Sequence, residues 1–193
     1  MPKPSKFDIV NFKKSRVFIE NCRETFLNSF VSADGNILEI GDQGKYADSI
    51  KLFKITTLDI DPDSQSDICA DITKTNDFIP SASFEAIICS EVLEHVVDPF
   101  AAVRELKRIL KKGGVALFTT PLNARIHGPI PDCWRFTEFG LNILMKDFEI
   151  IWFNKLETIS RNLFPLHYGI IVKNSYSDRD ELDPRTLKFK KID

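Results

Sequence analysis

A doubly wound α/β fold around a mostly parallel sheet is what this chain predicts, and the stretch from Phe84 to Pro121 carries most of that prediction. Ala86 to Cys89 and Val115 to Phe118 are apolar runs bounded by polar residues, short enough to be buried parallel strands. Between them, Asp98-Pro99 supplies a capping side chain followed by proline at a first helical position, and Phe100, Val103, Leu106 and Leu110 recur at helical spacing. Lys107, Arg108, Lys111 and Lys112 gather where cations suit a helix C-terminus, and Gly113-Gly114 is the expected stop. Strand, helix and strand make a right-handed crossover, which puts chemistry at the carboxyl ends of the strands, at Ser90 to His95 and Thr119 to Pro121.

The other elements follow in chain order. Phe12 to Phe30 reads as an amphipathic helix that buries Val17, Phe18, Phe26, Leu27 and Phe30, and it is placed as a cover over a ligand. Asn36 to Ile40 is a first strand and Lys54 to Ile60 a second. Asp61, followed by proline, starts a turn, and Asp61 to Ser66 is too short for a helical crossover. The third strand is therefore vestigial and that flank of the sheet reduced. Thr137 caps a helix with Leu141, Leu144, Met145 and Phe148 on one face, and Phe148 to Phe153 and Tyr168 to Val172 are late strands. The expected organisation is a single domain over 1–173, made of a helical cover (1–35) and a core (36–173), with a charged tail at 174–193.

Composition narrows the class. With 193 residues, 43% of them hydrophobic, the chain can bury a core without disulfides or metal. A net charge of −2 provides no global basic field, so nucleic acid is not an expected partner. No run approaches the roughly 18 apolar residues of a membrane span and the N-terminus has no apolar signal core, so a soluble cytoplasmic protein is expected. Cys22, Cys69, Cys89 and Cys133 show no CxxC spacing, and Cys69 and Cys89 fall in strand-like runs where a thiol packs as a small hydrophobe. No metal site is expected.

The block around Ser90, Glu91-Val92-Leu93-Glu94-His95, Asp98-Pro99, Lys111-Lys112-Gly113-Gly114 and Pro121 resembles the class I S-adenosylmethionine-dependent methyltransferases, in particular their small-molecule and glycan-associated, type 11-like branch. The resemblance spans about 36–173. It implies a Rossmann-like three-layer α/β/α fold with an antiparallel strand near the C-terminal end, S-adenosylmethionine as cofactor, and cofactor contacts from Glu39, Gly41, Gly44, Asp59, Ile60, Asp71, Ile72 and Ser90.

The residues themselves fit that implication in part. Ile37 to Gly44 is a strand running into a glycine turn, where bare backbone approaches a ligand and amide donors face an anion such as a methionine carboxylate. The family's Gly-x-Gly-x-Gly has Gln43 at its second glycine here, with Gly44 or Lys45 at the third. Eighteen residues beyond Gly41, Asp59 ends a strand at nearly the spacing of a ribose-binding carboxylate. Asp71 reads equally as an adenine contact or as a turn cap with Thr73.

Three histidines are available as a base. His167, before a late strand, reads as structural and distant from the crevice; His95, in the family-like motif, reads as structural before catalytic. His127 is the candidate catalytic residue, in the long segment Asn123 to Thr137 between a strand end and a helix. In that segment Trp134-Arg135-Phe136-Thr137 resembles family members that modify sugars, surface polysaccharides and natural products, and packing by Trp134 and Phe136 with an Arg135–carboxylate pair is expected alongside. The function read from the sequence is methyl transfer to a hydroxyl of a small-molecule or glycan-related acceptor. A catalytically silent methyltransferase-like scaffold or activating subunit is the alternative, and a nicotinamide-dependent oxidoreductase, which expects GxGxxG where Gly41 to Tyr46 stands, comes third. Acceptor identity and oligomeric state stay open.

Overall fold

The computed structural model describes residues 3–32, 34–41, 53–128, 131–159, 161 and 163–175. Seven strands form one sheet: β1 (Ile37–Ile40), β2 (Ile55–Asp59), β3 (Ile68–Cys69), β4 (Phe84–Ser90), β5 (Leu110–Pro121), β6 (Glu149–Glu157) and β7 (Pro165–Lys173). Their spatial order is β3-β2-β1-β4-β5-β7-β6. β3, β2, β1, β4 and β5 run parallel, with Ile37 beside both Ile55 and Ala86 and Ile87 beside Ala116. β7 enters antiparallel against β5 and pairs antiparallel with β6. The expected parallel core and antiparallel end are therefore present. The order reverses between β1 and β4, which opens a crevice at their carboxyl ends.

Two apolar layers sandwich the sheet because alternate strand residues face opposite ways. Helix α1 (Lys6–Phe30) buries Ser15, Phe18, Ile19, Cys22, Arg23, Phe26 and Leu27, a run of three- and four-residue steps. Its apolar members meet Ile37, Ala86, Ile88, Leu117 and Ile171. On the other face, α2 (Pro99–Ile109) and α3 (Glu138–Leu144) pack Ala102, Val103, Leu106, Leu141 and Leu144 against Leu38, Leu58, Ile87, Phe118 and Ile170. Among the described residues no helix lies between β2 and β3, and β3 is two residues long, so that flank is reduced as expected.

Several boundaries differ from the sequence reading. α1 starts at Lys6, not Phe12, because Ser5 and Asp8 form a capping box: Ser5 Oγ accepts from Asp8 N at 3.2 Å and Asp8 Oδ2 accepts from Ser5 N at 2.8 Å. Val17 is 61% exposed rather than buried, since the true stripe passes through Ser15, Phe18 and Ile19. α2 ends at Ile109, so Lys111 and Lys112 lie in β5 and Gly113-Gly114 does not stop the helix. Leu110, 1% exposed, is already extended and pairs with Phe84, so sheet pairing overrides helical periodicity there. The two glycines form an irregularity inside β5. Gly113 has φ 79°, and a Cβ on Gly114 would meet Glu85 O at 2.8 Å. Asn174 closes it, donating from its backbone to Gly114 O at 2.8 Å and from Nδ2 to Leu110 O at 2.9 Å. The expected tail otherwise lies outside the described residues.

Cys89 is buried as expected, and burial also pushes the Cys22 thiol up to about 12. Cys69 is exposed instead, on the short edge strand. Among the described residues no helix is long and apolar enough to cross a membrane.

Candidate active site

The crevice holds two adjoining cavities. One, of about 470 Å³, sits over the carboxyl ends of β1 and β2 and is lined by Gly41, Asp59, Ile60, Asp71, Ile72 and Glu91 among others. The other, of about 530 Å³, lies between the N-terminal half of α1 and the segment after β5, with Phe7, Phe12, Arg125, His127 and His167 in its wall. Glu91 and His95 line both.

The first cavity is built by strand ends. Gly41 follows β1 with φ 79° and donates its N–H to Leu58 O at 2.8 Å, a left-handed turn that suits glycine. Asp59 ends β2 half-buried, and its Oδ1 accepts from Asp61 N at 2.8 Å. Asp61 starts the expected turn, accepting from Asp63 N at 2.9 Å. Asp71 caps its turn through Oδ1, which accepts from Thr73 N at 2.8 Å and Thr73 Oγ1 at 2.6 Å, while the residue still borders the cavity. Glu39 and Ser90 stand outside that wall. Glu39 forms a buried pair with Arg23 of α1 at 2.7 Å, and Ser90 Oγ lies 2.7 Å from Thr119 Oγ1. Gly44, Gln43 and Lys45 lie outside the described residues.

Where the cavities meet, Glu91 adopts φ 55°, a conformation uncommon for a non-glycine residue and often found where a site constrains the chain. Its Oε1 accepts from Thr119 Oγ1 at 2.9 Å and its Oε2 lies 2.9 Å from His167 Nε2. With the Thr119 proton directed at Glu91, Ser90 donates to Thr119, and a chain Ser90–Thr119–Glu91–His167 results. His167 is 5% exposed, and its Nδ1 is buried with no hydrogen-bond partner among the described residues. The sequence reading set this histidine far from the crevice; the structure corrects that. Because β7 is antiparallel, its first residues lie at the carboxyl end of β5, where His167 pairs with Pro121. An antiparallel strand was expected, and the position of its leading end was the readable signal.

Glu94, three residues on from Glu91, is fully buried, with neither carboxyl oxygen hydrogen-bonded among the described residues. Burial, reinforced by the negative charge of Glu91, pushes its carboxyl up to about 9. The segment after β5 is tied across it: Cys133 N and Trp134 N donate to Glu94 O at 2.6 and 3.1 Å. Trp134 also donates its Nε1–H to Val96 O at 2.8 Å and stacks on Phe136, and Arg135 binds Asp132 at 2.7 Å, the packing and ion pair expected of this motif. Hydrogen bonds from Arg135 hold the Asp132 carboxyl down at about 2. His127 therefore comes to the crevice on an anchored segment, its N–H bonded to Asp132 Oδ2 at 2.9 Å.

Comparison with known proteins agrees with this geometry. The model of a methyltransferase-domain family matches residues 16–163. A ubiquinone biosynthesis O-methyltransferase of Xanthomonas oryzae pv. oryzae is 51% identical over 43 residues, 22% of this chain and 18% of that protein. Its counterpart in Histophilus somni is 23% identical over 112 residues, 50% of this chain and 44% of that protein. The chain thus spans less than half the length of these curated relatives. The crystal structure of the N-methyltransferase NodS from Bradyrhizobium japonicum has the same fold, with a TM-score of 0.61 and 18% identity over 84% of this chain and 97% of that one. Strand order, crevice and family match together place this chain in the class I S-adenosylmethionine-dependent methyltransferases.

Proposed function

We propose that the chain transfers a methyl group from S-adenosylmethionine to a hydroxyl of a small-molecule or sugar-containing acceptor, with the cofactor in the first cavity and the acceptor in the second. The observation that carries this reading is the junction: Glu91 borders both cavities and is held there by Thr119 and His167.

The residues present suit the cofactor. Gly41 brings bare backbone to the cavity edge for the methionine end, Asp59 stands at a strand end where paired ribose hydroxyls can donate to a carboxylate, and Asp71 with Ile72 borders the remaining wall for adenine. Ile60 lies beside Asp59 in the same wall, and Gly44 lies outside the described residues. Glu39 and Ser90 contribute through Arg23 and Thr119, by holding the strand ends.

S-adenosylmethionine supplies an electrophilic methyl carbon on a sulfonium. What remains for the protein is to hold the nucleophile about 3 to 3.5 Å away, in line, and to exclude water. α1 is the cover for that purpose: Phe7 and Phe12, 50% and 66% exposed, stand in the wall of the acceptor cavity. A hydroxyl acceptor also needs somewhere to send its proton. A carboxylate only accepts, so His167 Nε2 carries hydrogen toward Glu91, and Glu91, which borders both cavities, is the group that takes the acceptor proton, held from behind by His167, whose Nδ1 is buried. His127 shares the chamber, but its Nε2 faces Glu94 at 3.8 Å, so the proton role falls more naturally to the Glu91–His167 pair. The O-methyltransferase names of the curated relatives support oxygen as the acceptor atom.

Calorimetry with S-adenosylmethionine tests the first half: binding is expected, and Asp59→Ala should weaken it by about 1.5 to 3 kcal/mol. No binding by folded protein at millimolar cofactor would leave a methyltransferase-like scaffold. The second half needs transfer of labelled methyl to a panel of sugars, nucleotide sugars and phenols. His167→Asn should lower turnover by about 10²- to 10⁴-fold with cofactor affinity nearly unchanged. Full activity in His167→Asn, with loss in His127→Ala, would return the base to His127.

A further inference from the structure

Glu94, His95 and His127 present one ligand atom each within 4.8 Å of one another. We propose that these three side chains bind a divalent transition cation of the zinc class at the floor of the acceptor cavity. This goes beyond the methyl-transfer reading and does not depend on it.

Three observations converge. The first is the orientation of the imidazoles. His95 Nδ1 lies 3.0 Å from Pro131 O, and His127 Nδ1 lies 3.2 Å from Arg125 O and 3.4 Å from Asp132 Oδ2. Each of those partners only accepts, so both rings carry hydrogen on Nδ1 and turn the Nε2 lone pair inward, the arrangement by which metal-bound histidines are fixed from behind. The second is Glu94. Its Oε1 lies 3.6 Å from His95 Nε2 and 3.8 Å from His127 Nε2, facing two lone pairs, and both its oxygens are buried without a hydrogen-bond partner among the described residues. A shared proton does not resolve this, because 3.6 and 3.8 Å exceed a hydrogen bond. The third is spacing. A cation about 2.1 Å from each ligand atom separates them by roughly 3.4 Å in a tetrahedron, close to the 3.6 and 3.8 Å from Glu94 Oε1 to the two Nε2 atoms, and the three ligand atoms together span no more than 4.8 Å, so the side chains need draw in only modestly on binding.

Ligand type selects the ion. Two imidazoles and one carboxylate suit zinc and its transition-metal neighbours over magnesium or calcium, which favour all-oxygen shells. Three protein ligands leave a position open, as in catalytic rather than structural zinc sites. His95 and His127 both line the acceptor cavity, so that position faces an incoming acceptor oxygen.

The test uses full-length protein freed of metal with a chelator and then titrated with zinc against a chromophoric competitor. One zinc per chain is expected at roughly micromolar affinity or tighter, and millimolar magnesium should not displace it. Glu94→Gln and His127→Ala should each weaken zinc by about 100-fold or more, with folding checked by circular dichroism. Cys133→Ser, which removes the exposed thiol on the same segment, should bind as the parent does. Absence of zinc binding at millimolar concentration, binding unchanged in His127→Ala, or binding lost only in Cys133→Ser would overturn the site. Cofactor calorimetry is read separately, so zinc can fail while the methyltransferase reading stands, and the reverse.

Discussion

Glu105 and Glu94 are both buried glutamates, 5% and 0% exposed, yet they are treated in opposite ways. Glu105, on α2, is saturated. Its Oε1 accepts from Arg108 Nη2 at 2.7 Å and Asn76 N at 2.9 Å, and its Oε2 accepts from Arg108 Nε at 2.7 Å. Burial alone would raise its carboxyl, but the hydrogen bonds from Arg108 and Asn76 outweigh it and hold the group below its ordinary value. Arg108 goes on to bind Asn76 O and Ile79 O, so this glutamate staples the segment before β4 to α2. Among the described residues Glu94 has no such side-chain donors, and burial moves its carboxyl the other way. A fold can use a buried carboxylate as a fastener only when it supplies the partners; a buried carboxyl left without them is pushed toward its neutral form and marks a candidate site.

The largest effect expected from this contrast is on Glu105. Glu105→Ala leaves a partly buried guanidinium and the Asn76 N–H without their acceptor, and should cost about 2 to 4 kcal/mol in denaturant unfolding. A loss below about 1 kcal/mol, the range of a surface pair, would show the network to be ornamental. Glu94→Gln should do the reverse in metal-free protein, raising stability by about 1 to 2 kcal/mol at neutral pH, because an amide removes an ionisable group that burial forces to take up a proton on folding. Destabilisation by this substitution with chelator present would mean that Glu94 has a structural partner after all, and the comparison would fail.

The same contrast explains what the sequence could show. Glu105 and Arg108 stand three apart on a helix announced by Asp98-Pro99, so their pairing is local and legible. The parallel core was equally open to reading, since Ala86 to Cys89 and Val115 to Phe118 are short apolar runs with few other uses. Ser5-x-x-Asp8 is a capping box legible in the sequence, and it sets the start of α1 at Lys6. The end of α2 was not open in this way, because Leu110 satisfies helical spacing and only its pairing with Phe84 decides otherwise. The site was least legible. Glu91 and His167 are 76 residues apart and meet through the antiparallel entry of β7, while His127 reaches Glu94 on a segment whose path depends on Cys133, Trp134 and Asp132. Residue types at these positions were visible; their convergence is a property of the sheet order.

The smallest expected effect is a slope with pH, and it separates the two glutamates without removing any packing. Glu105→Gln keeps the shape of the side chain and loses only its charge. The folded-state carboxyl of Glu105 lies below its ordinary 4.5, so the unfolded chain takes up a proton first as pH falls. The stability contributed by the charged form is therefore complete above 4.5 and is lost as pH drops from there through the lower folded-state value. Unfolding free energies of the parent and Glu105→Gln should differ most at neutral pH and converge in that acidic window. Salt should change the difference little, because the pair is largely shielded from solvent. A constant gap across the window would mean that the variant lost geometry rather than charge, and the contrast with Glu94 would then rest on packing alone.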